Sequence, residues 1–381
     1  MPDISDQIVD AIEAWDPVEG PTTWPRRRFM DLARRVVAEQ YAHNDPFREY
    51  ADRQGFEPGD SRDPADIPAV STEVFKHVDL HCQGPIERVF RTSGTTRDRR
   101  GEHHFPTLDV YRASMHPPFR RWAMPDRDSM RILVIAKSAE AAPESSLSFM
   151  FDGLIGRWGD DQSRCFVDAD GDFDDRALVA ALDRACEEST SVFVTGTAFG
   201  FVEFFERCDE SWSLPEGSRL LETGGFKGRK GEVTRGELYR AFEDRFELPR
   251  ACCLSEYSMT ELSSQAYTST LRARVRGDDQ PAHPRAFYTP PWVEIVLVDP
   301  MSLQPIELDG PESREEVSSA GPGGLIRWVD LANVGSVCAV QTGDLGSMTR
   351  DGGLILHGRA PDADLRGCSL TVEEWAEGED R

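Results

Sequence analysis

The feature that most restricts the fold of this chain is a series of alternating apolar and amphipathic stretches between residues 130 and 254. Met130 to Ala136, apolar except for Arg131, reads as a buried strand. Asp174 to Glu188 puts Leu178, Ala181, Leu182 and Ala185 on one helical face, and Ser191 to Thr195 reads as a short strand. A helix over Ala198 to Cys208, a strand over Arg219 to Thr223, a helix over Arg235 to Phe246 and a strand over Arg250 to Leu254 complete the series. Strands separated by helices pair in parallel, so the pattern predicts an α/β fold of βαβ units. In doubly wound sheets ligands bind beyond the carboxyl ends of the strands. Thr223-Gly224-Gly225 and Ser255-Glu256-Tyr257 fall at such ends.

The flanks have a different texture. Between Ile4 and Phe75 helical patches alternate with proline-rich breaks, and Phe29, Leu32, Val36, Val37 and Tyr41 recur at helical spacing. Ile67 to Ser71 reads as an extended approach to the first sheet. From Ala286 onward short strand-like runs dominate: Trp292 to Val298, Gly324 to Val329, Val337 to Gln341 and Leu354 to His357, with a polar loop over Asp309 to Ser319. The expected organisation is a helical layer over 1–89, an α/β core over 90–285, a β-rich subdomain over 286–357 and a short tail over 358–381.

The stretch Thr92-Ser93-Gly94-Thr95-Thr96 places four hydroxyls and a glycine in a row, with Arg97, Arg99 and Arg100 directly after. Backbone N–H groups, hydroxyls and guanidinium forks can there converge on one anion, which is the chemistry of a phosphate loop. The competing explanation is a polar surface turn, since the same residue types favour turns for conformational reasons. A Walker loop is excluded, because its glycine–lysine spacing occurs neither here nor at Gly224 to Gly231.

Composition narrows the class of partner. The formal net charge of −25 disfavours a nucleic-acid backbone, which requires a cationic face. No apolar run approaches the ~20 residues of a membrane span, and the acidic start Met1 to Asp6 lacks the pattern of a signal peptide. The eight cysteines form no Cys-x-x-Cys pair, which argues against a zinc ribbon or disulfide framework and for a reducing cytoplasm. Cys252-Cys253 is expected in a strand, with at most one of the two facing the core. Of 43 basic residues only Lys76, Lys137, Lys227 and Lys230 are lysines.

Taken in order, Thr92 to Thr96, Gly224-Gly225, Tyr257-Ser258-Met259-Thr260-Glu261, Gln341 to Gly346 and Gly358-Arg359 resemble the motif set of the adenylate-forming superfamily. More narrowly, Phe226-Lys227-Gly228 and Leu365-Arg366-Gly367-Cys368-Ser369-Leu370 resemble the acyl-protein synthetases that feed fatty acids to the bioluminescence fatty-acid reductase. The resemblance implies the large N-terminal domain of an adenylate-forming enzyme, with ATP and Mg2+ as cofactors. Its substrate would be a fatty or other carboxylic acid, and its protein partner an acyl reductase. It implies that Thr92, Ser93, Gly94, Thr95 and Thr96 hold phosphates, and that Gly224 and Gly225 let the backbone approach the purine while Tyr257 lies along the adenine. By the same resemblance Thr260 contacts the α-phosphate, Glu261 binds magnesium, and Asp344 accepts the ribose hydroxyls beside Arg359. Lys227 and Lys230, two of only four lysines, stand beside the glycine pair, where a phosphate or carboxylate contact competes with simple solvation. Cys368 would carry the acyl group as a thioester.

Three departures accompany the resemblance. Arginines stand where the phosphate loop usually continues with glycine and lysine, and Ser258 follows Tyr257 where glycine is usual. Only 22 residues follow Arg359, so the superfamily's C-terminal domain is expected to be absent. An acyl- or aryl-CoA ligase completed by another chain, or a non-catalytic acyl- or nucleotide-binding subunit, are the alternatives. The pair His103-His104 receives no role.

Overall fold

The computed structural model describes residues 3–93, 99–224, 233–306 and 323–360. Its strands are β1 (Val70–Ser71), β2 (Arg88–Arg91), β3 (Glu102–Phe105), β4 (Arg131–Lys137), β5 (Arg164–Val167), β6 (Val192–Thr197), β7 (Arg219–Thr223), β8 (Cys253–Tyr257), β9 (Ala266–Thr268), β10 (Phe287–Tyr288), β11 (Val293–Val298), β12 (Gly324–Asp330), β13 (Ala339–Met348) and β14 (Leu354–Arg359). The chain divides into two compact units, one of Met1–Pro118, Met259–Ala266 and Tyr288–Arg381, the other of Phe119–Ser258 and Tyr267–Phe287.

The second unit is the βαβ array expected from the sequence. Its strands run in the order β5-β4-β6-β7-β8, and every pairing among them is parallel. Both faces of this sheet are covered, which is why β4 is apolar from Ile132 to Ala136 between its terminal Arg131 and Lys137. On one face Leu133, Val194 and Leu220 meet Leu182, Phe204 and Phe242 from the helices Asp175–Glu187, Ala198–Arg207 and Arg235–Phe246. On the other, Phe193 packs on Phe119 with ring centroids 5.2 Å apart, and Phe119 lies 5.1 Å from Trp158 of the helix Ser146–Trp158. The helix starts are sealed by the residues that begin them. Thr197 accepts from Gly200 N and Asp174 from Ala177 N, while Thr234 and Glu237 form a capping box.

One strand differs from expectation. Arg250–Cys252 is a single 3₁₀ turn after Pro249, and the strand starts only at Cys253. The turn changes the direction of successive side chains, so Cys252 and Cys253 are both buried, at 8% and 4% exposure, rather than one of them.

In the first unit β11-β12-β13-β14 form an antiparallel sheet, and β1 pairs in parallel with β13. The helices Ile4–Glu13, Arg26–His43 and Asp45–Arg53 belong to this unit. Gln40 is fully buried there. Its amide nitrogen donates to Asn333 O and Val334 O, and its oxygen accepts from Cys338 N. Strands β2 and β3 form a separate hairpin, registered Arg91↔Glu102 at the end that bears the hydroxyl-rich loop. The polar loop Asp309 to Ser319 lies outside the described residues.

Candidate functional site

In the second unit the carboxyl edge of the parallel strands carries two of the expected residues side by side. Strands β7 and β8 are registered Thr223↔Glu256, so Gly224 and Tyr257 are the next residues on adjacent strands. Gly224 has φ +88°, a conformation that side chains rarely adopt, and a Cβ there would meet nothing within 4 Å. Glycine is thus set by backbone conformation, and among the described residues nothing else excludes a side chain there. Tyr257 is half-buried against Phe287, with ring centroids 5.8 Å apart, and Arg235 Cζ lies 5.7 Å from the Phe287 ring. Gly225 and Lys227 lie outside the described residues.

Behind this edge sit two buried carboxylates that the sequence reading did not single out. Glu222 accepts from Ser255 Oγ at 2.6 Å and Tyr239 OH at 3.0 Å, with Arg235 Nη2 at 3.3 Å. Burial raises its carboxyl above the ordinary range, while Arg235 opposes that rise. Glu256 accepts from the Thr223 hydroxyl, and burial pushes it up to about 7 against the hydrogen bonds from Ser258 and Thr223.

In the first unit the segment Met259–Ala266 bears Thr260 and Glu261, and a buried polar network holds it. Asn333 Nδ2 donates to Glu261 O at 2.9 Å and to Val337 O at 2.9 Å, and its oxygen accepts from Ser263 Oγ at 2.6 Å. Asp330 accepts from Ser263 N at 3.1 Å and Ser264 Oγ at 2.8 Å, and Trp292 Nε1 donates to Ser264 Oγ at 2.9 Å. His103 Nδ1 donates to Thr260 O at 2.8 Å. Burial pushes that imidazole down to about 4 and Asp330 up to about 6. Every partner here is satisfied, so the network rigidifies the turn. Glu261 is only 8% exposed.

Asp344 and Arg359 come together as expected. They are register partners across β13 and β14, with Arg359 Nε 3.7 Å from Asp344 Oδ1. Thr342 Oγ1 donates to Ile326 O and accepts from Asp344 N, which anchors the start of the Thr342-Gly343-Asp344 run. The run is part of strand β13, with a register shift between Leu345 and Gly346. Gly358, at φ +109°, precedes Arg359.

Of the hydroxyl-rich loop the structure describes the base. Thr92 N donates to Gly101 O, Gly101 N donates to Thr92 Oγ1, both at 2.9 Å, and Arg100 Nε donates to Thr92 O at 2.7 Å. Thr92 and Arg100 therefore close the neck of the loop. Ser93 is exposed at its start, and Gly94, Thr95 and Thr96 lie outside the described residues. So does Cys368. The seven described cysteines are free thiols, and burial raises every one of them: Cys82, Cys165, Cys253 and Cys338 to about 12, Cys208 to about 11, and Cys186 and Cys252 above the ordinary value. None is poised as a thiolate.

No family profile and no curated protein matches the sequence. Among solved structures, two of 2-hydroxyisobutyryl-CoA ligase in the postadenylation state are similar, one in complex with 2-HIB-AMP and one with R3-HIB-AMP. Each shares 16% identity and aligns over 88% of this chain and 68% of that one, with TM-scores of 0.60 and 0.61. The likeness establishes the fold, that of the large N-terminal domain of adenylate-forming enzymes.

Proposed function

We propose that this chain uses ATP and Mg2+ to activate a fatty or other carboxylic acid as its acyl-adenylate. In this reading it then moves the acyl group onto its own Cys368 for delivery to an acyl reductase. The observation that carries the first half is the buried network of Asn333, Asp330, Trp292 and His103 around Met259–Ala266. A fold alone does not require four buried polar residues to hold one turn, whereas a reaction that needs fixed donors at a phosphoryl group benefits from them.

The substrate carboxylate oxygen forms a bond to the α-phosphorus, and the bridging bond to the β-phosphate breaks with release of pyrophosphate. Thr260, on the held turn, donates to the α-phosphate. Glu261 offers hard oxygen ligands suited to magnesium, which when bound neutralises charge on the phosphoryl oxygens. Gly224 and Tyr257 flank the adenine at the carboxyl edge, and Asp344, steadied by Arg359, accepts from the ribose hydroxyls. The loop of Thr92 to Thr96 and Lys227 take the remaining phosphate contacts.

In the second half the Cys368 thiolate attacks the acyl carbonyl carbon, the mixed-anhydride bond breaks, and AMP leaves with its electron pair. Supporting this assignment, each described thiol is held in its protonated form by burial. Coenzyme A is the acceptor in the second reading, favoured by the ligases this fold is similar to.

Exchange of labelled pyrophosphate into ATP, dependent on added carboxylic acid and magnesium, tests the first half across a panel of acids. Acid-dependent exchange is expected; none with any acid would leave a non-catalytic binding subunit. Adding coenzyme A tests the acceptor, since acyl-CoA formation by the chain alone would replace the Cys368 step.

A further inference from the structure

Two short segments of the first unit present a constellation that adenylation does not use. In Asp79-Leu80-His81 the middle residue is buried at 1% exposure, and in Glu102-His103-His104, on β3, the middle residue is buried at 2%. Alternate side chains on a strand point to opposite faces, so Glu102 and His104 share the face away from His103. Asp79 joins them there: one side-chain donor atom each of Asp79, Glu102 and His104 lies within 4.8 Å of the other two.

The geometry is that of a cation cage rather than of a hydrogen-bonded cluster. His104 Nε2 and Glu102 Oε2 are 3.5 Å apart, too far for a good hydrogen bond. Two ligand atoms each about 2.1 Å from one tetrahedral ion stand about 3.4 Å apart. His104 Nδ1 is buried with no hydrogen-bond partner, and only 11% of the side chain is exposed. Arg91 Nε takes Glu102 Oε1 at 2.8 Å and leaves Oε2 facing His104. The His81 ring lies 5.3 Å from that of His104. Its Nδ1 donates to Cys82 O at 3.0 Å.

The geometry points to a divalent transition-metal site of the zinc class, with Asp79, Glu102 and His104 as its protein ligands. An imidazole beside two carboxylates favours such ions over magnesium, which prefers oxygen ligands throughout. The ion ties the 79–81 segment to β3 and so braces the hairpin whose tip is the hydroxyl-rich loop. This inference does not depend on the adenylation reading.

The test is zinc titration of the full-length, reduced, metal-stripped chain by calorimetry, with cobalt as an optical probe. One zinc equivalent is expected in the wild type, weakened at least about tenfold in Asp79→Asn and lost in His104→Gln. The cobalt complex should show weak visible bands without an intense thiolate charge-transfer band. Asp79 is exposed, so Asp79→Asn keeps the fold, and coincident melting curves of the metal-free proteins check this. Absence of bound zinc in the wild type, zinc binding unchanged in both variants, or a cobalt spectrum dominated by thiolate that disappears in Cys82→Ser would each overturn the site.

Discussion

Asp344 and Glu261 are the residues on which the nucleotide reading rests most directly, because each offers a carboxylate whose contribution is a charge-assisted hydrogen bond or a metal bond. Such a hydrogen bond is worth about 1.5–3 kcal/mol, so Asp344→Ala and Glu261→Gln should each lower pyrophosphate exchange roughly ten- to a hundredfold. Full exchange in both variants would remove the assignment. Glu256 makes a different kind of statement. Its folded carboxyl titrates at about 7 against an ordinary 4.5, so between those values the native state holds more protons than the unfolded chain. Stability contributed by this group is present below pH 4.5 and is lost as pH rises through 7. The uncharged Glu256→Gln should therefore gain on the wild type over that window, by about 3 kcal/mol at full ionisation, in urea unfolding at a series of pH values. Parallel profiles would contradict the burial argument. His103 works in the opposite sense, since a histidine pushed down to about 4 loses stability as pH falls below its ordinary 6.5.

At the scale of elements, the helix Arg235–Phe246 was legible because its start is written locally: Thr234 and Glu237 form the capping box, and Leu238, Phe242 and Phe246 repeat on the buried face. The strand Arg219–Thr223 was equally plain. The helix Asp109–Trp122 was not, because Pro117 and Pro118 stand inside it and proline ordinarily ends a helix. Strand β13 extends past Gln341 through a glycine-rich run that by itself signals a turn; pairing with β12 and β14 overrides that preference. The site was legible where a motif is contiguous and illegible where it is assembled from afar. Asn333 lies 72 residues from the Glu261 carbonyl that it holds, and no local pattern marks it. Asn333→Ala would strand three buried partners, each costing about 1–3 kcal/mol when unsatisfied. Destabilisation on the order of 3 kcal/mol in urea unfolding is expected, and a change within the ±0.5 kcal/mol of ordinary surface substitutions would contradict the network's role.

For the whole molecule, the formal charge of −25 disfavours a nucleic-acid backbone as partner, and no helix among the described residues is long and apolar enough to cross a membrane. In the proposed reading, what distinguishes this chain within a fold similar to that of 2-hydroxyisobutyryl-CoA ligase is the fate of the adenylate. Intact-protein mass spectrometry after incubation with ATP, Mg2+ and an accepted carboxylic acid reads that fate directly. The account predicts one acyl mass added to the wild type, removable by hydroxylamine, and no addition to Cys368→Ser, which still exchanges pyrophosphate at the wild-type rate. An acyl mass that persists on Cys368→Ser, or a wild type that exchanges pyrophosphate yet never gains the mass, would contradict it.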